Sequence, residues 1–236
     1  MEEWYRIYHI CKKKKANKPS HLIFYFNLPE EMVKLNHEIG CMEYVPRESV
    51  CFDITYPRLR EVIAADFADR LVQTKFTKEI LLYYEERFFH ANSYSCRVGK
   101  GAIRAIYQLQ EYIFEETHGY TTDAWIAKID LRNFFMSIDT DLAVDKVTQF
   151  ILQNLPDTPL RDTLLYMCRV VYQSRPQMNC RMNSPMSIHM MLEEGKRMYH
   201  KDTPIGVAIG NVTNQLMAKF LTTFYLCLLE SLGYVF

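Results

Sequence analysis

Apolar residues recur at helical spacing over most of this chain. Between residues 64 and 89, Phe67, Leu71, Val72, Phe76, Ile80, Leu81 and Tyr84 fall three to five apart, which predicts two consecutive helices. Ile103, Ile106, Tyr107, Leu109, Tyr112 and Ile113 continue the period toward Gly119, and Val144, Val147, Ile151 and Leu155 form a further stripe. Asp139 or Thr140 suits the start of that helix as a cap, and Pro156 and Pro159 end it. Shorter helices are expected over 30–39, stopped at Gly40, and over 164–172, with a last one over about 213–232 behind Gly206 and Gly210. Two segments alternate instead. Residues 50–55 read as a short strand before the turn at Tyr56-Pro57, and AWIAKID (124–130) places Trp125, Ala127 and Ile129 on one face. Asp130 then closes a strand. Residues 174–202 are polar, methionine-rich and without a period.

With 236 residues, 49% apolar and 24% charged, the chain can bury a sizeable core, so disorder is excluded as its main state. The apolar run 216–236 is interrupted by Lys219, Thr222, Thr223 and Glu230, too often for a membrane span, and the N-terminus lacks a signal-peptide core. A cytoplasmic protein with no membrane partner is expected. Seven cysteines without a C-x-x-C pair speak against zinc ribbons and disulfide frameworks, and read as reduced thiols, most of them buried. None of the seven histidines has metal-ligand spacing, so each is expected to be an ordinary satisfied side chain.

Acidic and basic residues balance at 28 each, but they lie in blocks. Residues 1–28 carry six basic groups against two acidic, and 105–160 carry three against nine. Such alternation suits basic surfaces for a polyanion and a separate acidic centre for cations. The sharpest basic run is Lys12 to Lys15; a solvated loop is the simpler account of it, a phosphate-contacting arm the functional one.

Several clusters could carry chemistry. A carboxylate at a strand end, such as Asp130, can present a rigid oxygen to a divalent cation, although many such aspartates only satisfy turn amides. Phe134 and Phe135 follow in the connection, either as plugs of the strand-helix junction or as a wall beside a nucleotide sugar. Asp139 and Asp141 are better caps than metal ligands. Arg58, Arg60 and Arg70 suit phosphate, with ion pairs to Glu61, Asp66 and Asp69 as an equal alternative. TPIGVAIGNVTNQ (203–215) enters the last helix through glycines that permit close backbone approach. SYSCRVGKGA (93–102) is a basic nucleic-acid contact or a surface turn.

In their order along the chain, REVIAADFADRLVQ, SYSCRVGKG, KIDLRNFFMSID and IGNVTNQ make roughly residues 50–236 resemble a reverse transcriptase. The likeness is greatest to the enzymes of diversity-generating retroelements; those of retrons and group II introns are more distant. The resemblance implies an α+β, polymerase right-hand fold: fingers over 1–123, palm over 124–155, an insertion over 156–204, palm again over 205–236, and no thumb. It implies that Asp130 is the first catalytic aspartate and, with the Leu131 carbonyl, binds Mg²⁺ or Mn²⁺. Phe135 matches the aromatic gate under the sugar, with Phe134 its core partner, and Arg60 and Arg70 match residues that grip a dNTP. Ile209 and Gly210 match the segment packed on the nascent base pair, where many other reverse transcriptases have glutamine in place of Ile209; the apolar residue is associated with relaxed base selection. Gln215 matches the family, whereas Asn214 stands where serine is usual; these two, with Arg97 and Lys100, are the expected contacts to template RNA and DNA primer.

The family also has a Tyr-x-Asp-Asp hairpin shortly after the last helix, and no aspartate follows Asp202 here. The stretch 233–236 looks like the approach to it. This chain is therefore expected to be inactive alone, with an incomplete palm sheet that leaves an exposed edge or a symmetric homodimer, and an accessory protein as a further candidate partner. Two alternatives stand beside it: a non-catalytic, polymerase-like RNA-binding or regulatory module, and a structural interaction module using the abundant tyrosine and phenylalanine.

Overall fold

A computed structural model describes residues 1–84 and 89–233, with the backbone alone at 81–84 and 224. The expected helical positions Leu81 and Tyr84 and the stretch 234–236 lie outside the described side chains. In chain order the elements are α1 (Glu2–Lys12), α2 (Pro19–Phe26), α3 (Leu28–Gly40), β1 (Ser49–Ile54), β2 (Arg60–Ala64), α4 (Phe67–Tyr84), α5 (Ala102–Glu116), α6 (Phe134–Ser137), α7 (Thr140–Asn154), α8 (Pro159–Gln173), β3 (Cys180–Met182), α9 (Met186–His189), a 3-10 turn (Glu194–Lys196) and α10 (Val212–Ser231). The class is α+β. None of the described helices is long and apolar enough to cross a membrane.

Contacts divide the chain into two compact units, Met1–Tyr83 with Asn133–Met217, and Tyr84–Arg132 with Ala218–Phe236. The first holds the sheet, in the order β2-β1-β3. β1 and β2 are antiparallel, from Val50 opposite Ala64 to Ile54 opposite Arg60, while β3 joins β1 in parallel. α4 is one helix rather than two and begins at Phe67, and β2 before it is not among the expected strands. Asp66 sets the boundary: its Oδ1 accepts the Ala68 N–H at 3.0 Å, satisfying a free amide of the first turn. Phe67, Leu71, Val72, Phe76 and Ile80 are all buried, and each such side chain contributes about 1.5–3 kcal/mol. α7 and α8 pack together through Val147, Ile151, Leu164 and Met167. Asp139 caps α7, accepting from Asp141 N–H at 3.1 Å and Leu142 N–H at 3.0 Å. Pro159 begins α8, so the second helix is longer than its apolar stripe.

In the second unit the edge of the Phe89 ring meets Phe220 at 5.7 Å between centroids, and Lys219 donates to the Cys96 carbonyl at 2.6 Å. The expected strand over 124–130 does not form. Those residues join no ladder, and Trp125 is fully exposed. Alternation makes a segment competent for a sheet; a strand also needs a partner for its backbone groups, and no described segment supplies one.

Candidate nucleotide and nucleic-acid site

Asp69 accepts the Tyr44 hydroxyl at 2.5 Å and the Arg47 N–H at 3.1 Å. Glu61 accepts the Met198 and Tyr199 N–H groups at 2.9 and 3.1 Å, and Asp66 caps α4 while lying 3.7 Å from Arg47. All three acids are thus committed elsewhere, and among the described residues Arg58, Arg60 and Arg70 form no ion pair. Arg60 is exposed at the start of β2. Arg70 is half-buried, and its Nε donates to the Ala65 carbonyl at 2.8 Å. Burial draws its guanidinium below the ordinary value, with Asp66 opposing; an anion at its free end would offset that cost.

Residues 203–211 run past each of the other pieces. Thr140 N–H donates to the Pro204 carbonyl at 2.9 Å, Gly206 N–H to Ile138 at 2.7 Å, and Val207 N–H to Phe135 at 2.8 Å. Further on, Ile63 N–H donates to the Ile209 carbonyl at 2.9 Å, and the Asn211 side chain accepts the Ala65 N–H at 3.3 Å. Ala65 therefore donates its N–H to Asn211 and accepts from Arg70 at its carbonyl. Close approach to β2 depends on Gly210, whose φ is +132° and where a Cβ would lie 2.9 Å from Val62 Cγ1 and 3.0 Å from the Ile63 oxygen. Asn214 is buried and its side chain donates to the Ala208 carbonyl, holding the segment's own backbone; Gln215 is exposed. Phe134 and Phe135 are half-buried and meet edge to face at 5.3 Å. Arg60, Arg70, Phe134, Phe135, Ile209 and Gly210 thus all belong to the first unit, where the strip bonds the backbones of Phe135, Ile63 and Ala65.

Asp130 and Leu131 belong to the second unit and are exposed. Their oxygens suit hard cations such as Mg²⁺ or Mn²⁺ in kind. In number they fall short, since no group of three or more His, Cys, Asp or Glu among the described residues could hold a metal ion. One carboxylate cannot clamp two ions about 3.5–4 Å apart. Arg97 donates to the His90 and Ser93 carbonyls, both at 3.1 Å, and Lys100 donates to Ala91, so these two cations fasten their own loop.

Sequence reasoning passed over one cluster. Asp53 and Glu61 face each other in the β1–β2 register, and the buried His189 lies between them. Its Nδ1 is 3.2 Å from Asp53 and its Nε2 is 3.6 Å from Glu61. Facing acids on a hairpin were a readable signal; the histidine arrives from a stretch with no pattern. The cysteines differ from expectation too, with Cys51, Cys168 and Cys180 buried but Cys41, Cys96 and Cys227 exposed, all as free thiols. No family model matches the chain, and no curated protein matches it.

Asp69 gives the unit a pH dependence. Burial lifts its carboxyl from the ordinary 3.8 to about 6, opposed by the Tyr44 hydroxyl and the Arg47 N–H. A raised carboxyl favours the folded state while protonated, so its contribution is complete below pH 3.8 and is lost as pH rises through about 6. The expected loss is roughly 3 kcal/mol. Urea unfolding between pH 4 and 7.5 checks it: Asp69→Asn, which has no proton to lose, should flatten the profile, and an unchanged slope would refute the assignment.

Proposed function

We propose that this chain forms the fingers and part of the palm of an RNA-directed DNA polymerase, which copies template RNA into cDNA from a DNA primer. The observation that carries the proposal is the strip 203–211, which ties the Phe134–Phe135 connection to the β2 strand and Arg70. The uncommitted arginines support it as well. Arg60 and Arg70 neutralise the incoming triphosphate, and Arg70 is oriented by its bond to Ala65. Phe135 limits the space at C2′ of the sugar, backed by Phe134. Ile209 and Gly210, held against β2, pack on the nascent pair, and the exposed Gln215 meets the template. Asp130 contributes one carboxylate toward the divalent cation that such phosphoryl transfer uses.

Primer extension by the full-length gene product on an RNA template tests the reading. Phe135→Ala should raise ribonucleotide incorporation at least about tenfold relative to dNTP, the scale on which a pocket rejects a small group. Unchanged discrimination removes the gate from Phe135. No extension on any RNA template sinks the polymerase reading itself.

A further inference from the structure

The basic run that sequence alone left open gains a structural context at the end of α1. Lys12, Lys13, Lys14, Lys15 and Lys18 put five cations in seven residues, and among the described residues none of them pairs with a carboxylate. Several cations elsewhere do find one: Lys75 meets Glu3 and Glu79, Arg47 meets Glu31, and Arg161 meets Asp157. The loop is also ordered. Lys15 N–H donates to the Lys12 carbonyl at 2.9 Å and Lys18 N–H to Lys15 at 3.0 Å, while the buried His21 bonds the Ala16 carbonyl at 2.8 Å and the Tyr8 hydroxyl at 3.1 Å.

His21 belongs to a stack of rings that leads from the core to the surface. Tyr8 and His21 lie nearly parallel at 5.8 Å, and His21 and Tyr25 at 6.0 Å. Tyr25 is 50% exposed and its neighbour Phe26 80% exposed, an unusual state for two adjacent rings at the end of a helix. Lys12 places its ammonium 5.5 Å from the Tyr25 ring centre, so the lysines and the rings are physically joined. Burial, and next Arg70, pull Lys15 below the ordinary lysine value, with Cys11 opposing.

We infer that the Lys12–Lys18 loop and the Tyr25–Phe26 end of α2 form a binding platform for single-stranded RNA, with phosphates on the lysines and bases stacked on the exposed rings. Preordered cations beside solvent-facing aromatics are what sequence-tolerant single-strand binding requires. The same ingredients suit an anionic membrane. The preference for RNA rests on the polymerase reading, and the eight-residue α2 offers a membrane only about 12 Å of helix.

The test is binding of a 20-nucleotide oligouridine to the full-length protein across a salt series. Combined Lys13→Gln, Lys14→Gln, Lys15→Gln and Lys18→Gln should weaken binding at least about tenfold and make the log-log salt slope shallower by about 3, near 0.7 per lysine. Phe26→Ala should cost about tenfold with the slope unchanged. Thermal melts of these surface variants should match the parent. Affinity and slope equal to the parent's, or no oligouridine binding by the parent at all, overturns the platform. So does lysine-dependent binding to phosphatidylserine vesicles with none to RNA. A protein that fails to extend primers yet binds oligouridine through these lysines keeps the platform and loses the polymerase reading.

Discussion

Replacing Asp130 with alanine in the full-length gene product should reduce primer extension by more than about a thousandfold while leaving thermal unfolding unchanged. The two halves of that expectation have separate grounds. Asp130 is exposed, in a segment without ladder bonds, so its removal opens no cavity and strands no polar group. The functional half follows from charge: a carboxylate that steadies cations on a transferring phosphate acts where charge develops, and a thousandfold corresponds to about 4 kcal/mol at the transition state. An Asp130→Ala protein with parental activity would remove the residue from the chemistry. A protein that lost activity and melting temperature together would make Asp130 a structural residue instead.

The largest stability effect is expected at His189. The side chains of Asp53 and Glu61 are buried and opposed across the β1–β2 pair, and the imidazole between them lies 3.2 Å from one and 3.6 Å from the other. Burial pushes the Glu61 carboxyl up, the Tyr199 and Met198 amides and His189 pull it down, and Asp53 pushes it up again. Asp53 Oδ2 has no hydrogen-bond partner among the described residues. His189→Ala therefore leaves two buried acids with nothing between them, at a cost of about 3–5 kcal/mol. Asp53→Asn in the same background should recover part of that loss, because it removes one of the opposed charges. Urea unfolding of the two single variants and the double gives the coupling directly. A cost below about 1 kcal/mol for His189→Ala, or purely additive effects, would show that the three groups do not act as a cluster. Arg60 adjoins Glu61 on β2, so under the polymerase proposal loosening this cluster should also weaken dNTP binding.

Much of the helical frame was legible in the chain. α4, α7 and α10 carry long apolar stripes, and the Asp139 cap was readable from its place before the α7 stripe. α1 also has a readable stripe in Trp4, Ile7 and Tyr8, but the surrounding charges drew attention to its polarity instead. β2 is five residues long and merges with the apolar start of α4, so period alone could not separate them. β3 is illegible for a different reason: three residues become a strand only because a partner about 130 positions earlier accepts them. At the candidate site, residue types pointed to phosphate chemistry at Arg60 and Arg70, yet sequence could not say whether Glu61, Asp66 and Asp69 neutralised them. That depended on Tyr44, Met198 and Tyr199, which come together only in three dimensions.

The strip 203–211 also sets an order of events during synthesis. β2 and the Phe134–Phe135 connection leave the ribosome well before their shared partner, and closing those long loops costs entropy before any contact repays it. Until residue 211 emerges, Ile63 and Ala65 lack acceptors for their amides, and the Phe135 and Ile138 carbonyls lack donors. The nascent chain thus passes through an interval with an open edge at its centre, when it is most exposed to mispairing and chaperone capture.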